Sequence, residues 1–559
     1  MLSSRSFSTT LLFLSLSSQW FQNIDAFSSR SSGSWGVEKP SLTKLIRTTP
    51  SYRHRPDVSS AQSVQDDDEF EIEEFDEDDD DSLDFDIEDL LVKKEVWEQD
   101  LQRLAKTSNH DPAAVEKAQQ IFDDYFEAYV MSEDSALWPH VGIYNLLIET
   151  HAYSQARNGA EEAENILSRM EDSSISTTAQ PNEQTYLNVM DAWAMRKNPD
   201  KAKAVLERAQ EQHEAKPEMT TPVSIEFYNK LIKSYGLAGE TDKAEELFEE
   251  LLDDESSTQP LQANYKTWVQ IMKCFASRKD GVEKVQTLFR RMLKEFRMGK
   301  EEFRPTTTVY NVLIRSLSFK KGGAAEAEEM LYEMIDQYSN GDEEMIPNAE
   351  TFRNVILTMK TRADAGSGVK AEKLIQIQEG LQKSSGSEDL KLDGRSYSAA
   401  LSVIARSKDS KKAVRAKRMV EKIEKDESVN PKVWTYFTLL SSCAHTIGSP
   451  EENFEAFQIA VDTLQFMRAS IDFQPDSGCY GMFLKACANL MPQSRKRDEL
   501  VENVFRKCCK VGLLTEFVLN EFERAASEEL QLEILGGFLE DSVKLPDEWS
   551  SNVVEHRHR

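Results

Sequence analysis

The stretch Phe227-Tyr228-Asn229-Lys230-Leu231-Ile232-Lys233-Ser234-Tyr235 is the key to this chain's architecture. Tyr228, Leu231, Ile232 and Tyr235 fall at i, i+3, i+4 and i+7, one face of an α-helix. Gly236 and Gly239 are read as bracketing a tight turn, because glycine tolerates the backbone angles of a reversal. A second helix is predicted from Asp242 to Leu252, with Asp242 as its N-cap. Its apolar stripe is Ala244, Leu247, Phe248 and Leu251, with the small Ala244 where the two helices cross. Gln259-Pro260 ends the unit, since proline cannot continue a helix. A hairpin of this size cannot bury its own stripe, so copies of it must stack.

Copies are present on both sides. The opening aromatic recurs at Tyr144, Tyr186, Tyr228, Tyr265, Tyr310, Phe352, Tyr397, Tyr436 and Tyr480, with gaps of 37 to 45 residues and a mean of 42. Second-helix stripes follow at Ala163/Ile166/Leu167/Met170, Ala202/Val205/Leu206, Ala327/Met330/Leu331/Met334 and Ala416/Met419/Val420, among others. These stripes read as core, with methionine as packing filler. Pro181, Pro260, Pro305, Pro347, Pro431 and Pro475 each precede the next aromatic by five residues. The periodicity predicts an all-α solenoid of about nine helix-turn-helix repeats over residues 141–510. Degenerate capping helices are expected at 90–130, on Val96, Trp97, Leu101, Leu104, Ala118, Ile121, Phe122 and Tyr125, and again at 511–545, with a tail over 546–559.

Tyr144-Asn145, Tyr228-Asn229 and Tyr310-Asn311 at unit starts, and Gln180-Pro181-Asn182, Ile346-Pro347-Asn348 and Gln474-Pro475-Asp476 at unit ends, give the chain a further character. It resembles the pentatricopeptide-repeat family. The Trp-Leu-Gly-Tyr pattern of the competing tetratricopeptide repeat is not visible. The resemblance implies a right-handed superhelix that holds single-stranded RNA in its inner groove, each base read by two polar side chains. One follows the opening aromatic and the other is the last residue of the unit. Carried over, the pairs are Asn145 with Asn182 and Asn311 with Asn348, of a type associated with pyrimidines; Asn229, Ser398, Asp393 and Asp476 are further base-facing positions. Asn229 is paired with Leu261, which breaks the pattern, and Lys266 with Thr306, Arg353 with Asp393, Ser398 with Lys432 and Phe437 with Asp476 spell no readable code. The family's small aliphatic wedge, two residues before the aromatic, is replaced throughout, by Glu226, Glu350 and Trp434 among others.

The net charge of −31 argues against nucleic acid until its distribution is considered. Asp66 to Asp89 hold 17 Asp and Glu and no Lys or Arg. Residues 61–89 therefore read as an acidic disordered linker, while the interleaved Phe70, Phe75 and Phe85 also fit a docking or nucleic-acid-mimic segment. Cations gather at the turns between first and second helices: Arg196, Lys197, Arg278, Lys279, Lys320, Lys321, Lys360, Arg362, Arg406, Lys408, Lys411 and Lys412, then Arg495, Lys496 and Arg497. Stacking would align them into a ladder for a phosphate backbone. Helix C-termini also favour Lys and Arg on electrostatic grounds alone.

Residues 1–60 read as a targeting presequence. Leu11-Leu12-Phe13-Leu14-Ser15-Leu16 is too short to span a membrane, and Asp25-Ala26-Phe27 leads into the Ser/Arg stretch Ser28-Ser29-Arg30-Ser31-Ser32. This resembles the two-part plastid presequence of algae with secondary plastids; a mitochondrial address is the alternative. No later segment is long and apolar enough to cross a membrane. The six cysteines lack paired spacing and read as buried thiols. Neither Cys-x-x-Cys nor His-x-Glu occurs, and no Walker-type glycine loop. His556 and His558 read as a basic tail. The expectation is no catalysis, no metal and no cofactor, with single-stranded RNA as partner. A protein-binding scaffold in an organellar complex is the alternative, and the oligomeric state stays open.

Overall fold

The computed structural model describes residues 87–109, 111, 113–132, 135–171, 179–215, 217, 222–253, 261–360, 363–537 and 545–553. The presequence, most of the acidic stretch, Pro260, Arg362, His556 and His558 lie outside them. The described residues form 22 α-helices, short 3-10 turns and no strand.

α1 (Ile87–Thr107) and α2 (Ala114–Ser132) make the first hairpin. Next come α3 (Val141–Tyr153) with α4 (Gly159–Glu171), α5 (Glu183–Met195) with α6 (Pro199–Ala215), and α7 (Ile225–Ala238) with α8 (Thr241–Asp253). Then follow α9 (Tyr265–Ala276) with α10 (Val282–Arg297), α11 (Thr307–Ser316) with α12 (Gly323–Ser339), and α13 (Ala349–Lys360) with α14 (Ser367–Ser385). The array closes with α15 (Gly394–Arg406) and α16 (Lys412–Lys425), α17 (Val433–Ala444) and α18 (Pro450–Ala469), α19 (Ser477–Leu490) and α20 (Arg495–Lys510), and the cap α21 (Glu516–Ala525) and α22 (Glu528–Leu535).

Each first helix packs against the first helices before and after it, whereas neighbouring second helices touch only sparsely. A stack with one tight layer and one splayed layer curves toward the tight one. First helices therefore form the inner face. The predicted stripes are the core between the layers. Ala163, Ala202, Ala244, Ala327, Ala371, Ala416 and Ala456 are all fully or almost fully buried at the crossings. Burying each large apolar side chain contributes about 1.5–3 kcal/mol, and only stacking makes that burial possible.

The start of each first helix is set by its N-cap. Asn182 and Asn264 each form a reciprocal capping box with the threonine three residues on, Thr185 and Thr267. Asn348 accepts from Thr351 N at 3.0 Å, Asp393 from Ser396 N at 2.7 Å and Asp476 from Cys479 N at 2.8 Å. In these units the opening aromatic is the fourth helical residue.

That register corrects one sequence assignment. Tyr265 is the first residue of α9, and Trp268, fully buried, takes the aromatic slot. The gaps around it become 40 and 42 residues. Two turn assignments also change. Gly236 lies inside α7, where a Cβ would clash with Cys274 Sγ, so glycine permits close approach of α9. The reversal belongs to Gly239, at φ 87°. Asp242 sits in the first turn of α8, behind Thr241, rather than at its cap.

At the N-terminal cap Leu101, Leu104, Ala118, Phe122 and Tyr125 are buried as expected, but Val96 is 53% exposed. Residues 546–553 are not a free tail. Trp549 lies edge-on to Phe505 at 6.0 Å, its carbonyl accepts from Leu514 N at 2.8 Å, and Asn552 N donates to the Gly512 carbonyl at 2.9 Å. This segment closes the last hairpin.

Candidate nucleic-acid interface

The capping geometry brings the expected residue pairs together. The N-cap of one first helix lies beside the residue after the aromatic in the preceding unit. Asn145 Nδ2 donates to Asn182 Oδ1 at 3.2 Å, and Thr185 Oγ1 donates to Asn145 Oδ1 at 2.7 Å. Asn311 Nδ2 donates to Asn348 Oδ1 at the same 3.2 Å. Asn188 and Asn354 donate to the Asn145 and Asn311 carbonyls, each at 3.2 Å.

The corrected register gives Asn229 a different companion. The unit-end position is the N-cap Asn264, not Leu261, so Asn229 corresponds in register to an asparagine but makes no bond to it. Asn229 is only 3% exposed, and neither carboxamide atom has a hydrogen-bond partner among the described residues. Lys266 likewise leaves the code position; Val269 stands there, across from Thr306. Arg353 Nη1 is 3.6 Å from Asp393 Oδ2, while Asp393 Oδ1 also accepts from Ser396 Oγ at 2.8 Å. Asp476 is exposed and serves as the cap of α19.

Several turn cations are committed to the fold. Arg196 donates to three carbonyls of the preceding hairpin, Ala152 at 3.4 Å, Ser154 at 3.0 Å and Ala156 at 2.6 Å. Arg278 reaches the Gly239 carbonyl at 3.3 Å and Asp280 at 3.1 Å. Arg497 is buried and donates to the carbonyls of Met491, Arg524 and Ala525. Lys412 is buried against the Ser407 carbonyl at 3.0 Å, and burial lowers its ammonium pKa while Asp409 opposes the shift. Lys320 pairs with Glu326 at 2.6 Å. Lys197, Lys279, Lys321, Arg406, Lys408 and Lys411 remain exposed and Lys360 half-buried. The continuous ladder is thus broken by residues that latch one unit to the next.

A surplus of cations also lies along the first helices from α7 onward. From α7 to α19 they carry Lys230, Lys233, Lys266, Lys273, Arg315, Arg353, Lys360, Arg395, Arg406 and Lys485 against two carboxylates, Glu226 and Glu350. Lys230 and Lys233 both hold the buried Asp191, and Lys266 holds Glu226 at 2.8 Å. Six second-helix carboxylates pair with cations of the next second helix: Glu171 with Arg208, Glu245 with Lys284, Glu249 with Arg291, Glu328 with Lys370, Glu372 with Arg415 and Glu379 with Lys422. A protein of net charge −31 thereby presents a cationic inner strip. Seven of the ten cations stand at the second, sixth or ninth helical position on the polar flank of the first-helix stripe; Arg353, Lys360 and Arg406 do not.

Three clefts open on this strip. One of about 300 Å³ is lined by Lys230, Lys233, Lys266, Lys273, Tyr265 and Asn229. One of about 620 Å³ gathers Arg353, Asp393, Arg395, Ser398 and Lys432. Another of about 770 Å³ adjoins it through Lys360, Ser402 and Trp434 and adds Arg406, Lys408, Phe437 and His445. Trp434, in the wedge position, is 41% exposed. Cations beside an open indole face suit a phosphate backbone carrying an unstacked base.

Among the described residues no group of three or more His, Cys, Asp and Glu comes together, and no helix is long and apolar enough to cross a membrane. All six cysteines are buried and free, and burial pushes the thiols of Cys274, Cys487, Cys508 and Cys509 up to about 12.

Stacked helical hairpins with a cationic inner layer define an α-solenoid. Residues 226–255, the α7–α8 hairpin, match the family model described as PPR repeat. That hairpin carries the match, and the helix-turn-helix plan it follows recurs along the array. Among solved structures it is similar to the pentatricopeptide repeat protein PPR10 from maize, at 16% identity and a TM-score of 0.39, covering 78% of this chain and 54% of that one. It is also similar to PPR10 in complex with an 18-nt psaJ RNA element, at 17% identity and a TM-score of 0.42, covering 78% and 61%. The chain therefore spans less than two thirds of the length of either. No curated protein matches it.

Proposed function

We propose that this protein binds single-stranded RNA along the inner face of its first helices. It acts by occupancy, shielding or remodelling a transcript in processing, stability or translation. The observation that carries this reading is the distribution of charge: six second-helix carboxylates pair with cations of the next second helix, while the first helices from α7 to α19 carry ten cations against two carboxylates, with Asp191 and Glu521 of flanking first helices holding Lys230, Lys233 and Lys485, beside the exposed Trp434. The bonded asparagine pairs, Asn145 with Asn182 and Asn311 with Asn348, add polar groups at two separate units. Sequence reading is confined to such units, with phosphate contacts providing most of the affinity.

A protein-binding scaffold is the second reading. It is favoured by Glu149 and Asp191 on α3 and α5, which leave the first units of the inner face without surplus cations. The test is binding of the full chain to single-stranded RNA over a salt series. Affinity that weakens steeply with salt supports RNA; no binding at low salt by the folded protein turns the reading to the scaffold. The address read from residues 1–60 is proposed as plastid, with mitochondrion as alternative, and a fluorescent fusion of those residues tests it.

A further inference from the structure

The inner strip has a counterpart within its own chain. Residues 66–86 hold 15 Asp and Glu and no Lys or Arg, interleaved with Phe70, Phe75 and Phe85. We infer that this acidic segment docks in the inner strip across α7, α9 and α11, as an intramolecular polyanion.

Position and reach carry the inference together with charge. α1 packs on α3 and runs parallel to it: Glu98 lies 3.4 Å from His140 at the start of α3, and Asn109 accepts from Gln155 beyond its end at 3.1 Å. The acidic segment therefore enters at the N-cap edge of the first-helix layer. Ile87 precedes Glu98 by eleven residues, so it stands about 16 Å outside that edge. First helices pack roughly 10 Å apart, which puts α7 about 30 Å and α11 about 50 Å from α1. A 21-residue segment reaches at most about 70 Å, so it covers α7 to α11 even after the overhang, and little beyond.

The surface there fits an acidic peptide with aromatic residues. Lys266, Lys273 and Arg315 are exposed. The cleft of about 300 Å³ combines Lys266 and Lys273 with Tyr265 and Val269, giving an interleaved phenylalanine an apolar wall between cations, and holds one carboxylate, Glu226, paired with Lys266. The phenylalanines are what distinguish this occupant from a bare polyanion. The inference concerns a peptide and does not rest on the RNA reading. Where RNA is also a ligand the two compete.

The experiment uses the full chain and needs no RNA. Zero-length carbodiimide coupling joins a carboxylate to a lysine amine only in direct contact. Expected are links from residues 66–86 to Lys266 and Lys273 within one molecule, lost in molar salt. Links in equal yield to Lys203, Lys425 and Lys510 on the second helices, links between isotopically distinct copies, or no links overturn the inference. A second full-length variant changes the 15 carboxylates to amides. Acetylation of Lys266 and Lys273 should then rise several-fold while that of Lys425 stays constant. Unchanged acetylation overturns the inference whether or not RNA binds.

Discussion

Replacing Lys266, Lys273, Arg315 and Arg395 together by glutamine removes four exposed cations from the inner face and leaves the core untouched. None of the four makes a buried contact that holds two units together; Lys266 pairs with Glu226 and Arg315 with Ser277 Oγ at 3.2 Å. For single strands each neutralised phosphate adds about −0.7 to the slope of log affinity against log salt. Losing four should flatten that slope by about 3. Between roughly 50 and 200 mM salt the native chain should then lose about 50-fold more affinity than the variant. Fluorescence anisotropy with a labelled single-stranded RNA reads the slope, and circular dichroism checks the fold. The matched control replaces Lys197, Lys279, Lys321 and Lys411, exposed cations of the turns. Its slope should change less. An unchanged slope in the first variant, or equal flattening in both, refutes the placement of RNA on the inner face.

Other outcomes follow from single side chains. Arg196→Ala strips three carbonyls of their donor and should cost about 2–3 kcal/mol in urea unfolding, while the salt slope of RNA binding stays the same. Asn229→Leu replaces a buried carboxamide without partners and should stabilise by roughly 1–2 kcal/mol, whereas Asn145→Leu, which breaks bonds to Asn182 and Thr185, should destabilise by a similar amount; thermal melts of the two variants should move in opposite directions. Burial lowers the imidazole pKa of His151 and His445 below 6.5, so both stay neutral in the folded chain while the unfolded chain takes up protons. Their contribution is fully present above 6.5 and is lost as pH falls from there toward the folded values. Urea midpoints should therefore drop between about pH 7 and pH 5.5, and drop less in a His151→Gln, His445→Gln variant.

The repeat was legible because stacking forces one pattern of apolar spacing on every unit. The aromatic at the fourth helical position and the alanine at the crossing both serve the same interlayer contact, so both recur. The register at α9 is ambiguous in a linear reading because Tyr265 and Trp268 are both aromatic. The Asn264-to-Thr267 capping box, spaced like Asn182-to-Thr185, was the sequence signal that distinguishes them. With the aromatic at Tyr265 the counterpart of Asn229 is Leu261; with it at Trp268 the counterpart is Asn264. The cations were legible as residues but not as roles. Whether Arg196 meets solvent or the carbonyls of the preceding turn depends on how one hairpin sits on another. Pairing between second helices, such as Glu372 with Arg415, spans 43 residues and is equally silent in a linear reading. The C-terminal segment around Trp549 carries no repeat pattern of its own, because its contacts, to Phe505 and Gly512, belong to the preceding hairpin.

The central claim is that RNA lies on the first-helix layer. Ultraviolet cross-linking of the full chain to single-stranded RNA, with the joined peptides identified by mass spectrometry, addresses it directly. The account predicts cross-links at Trp434 and Phe437 and in the peptides of α9, α13 and α15, the helices that carry the cationic strip. Cross-links confined to the second helices, or none from a folded protein in low salt, would contradict it.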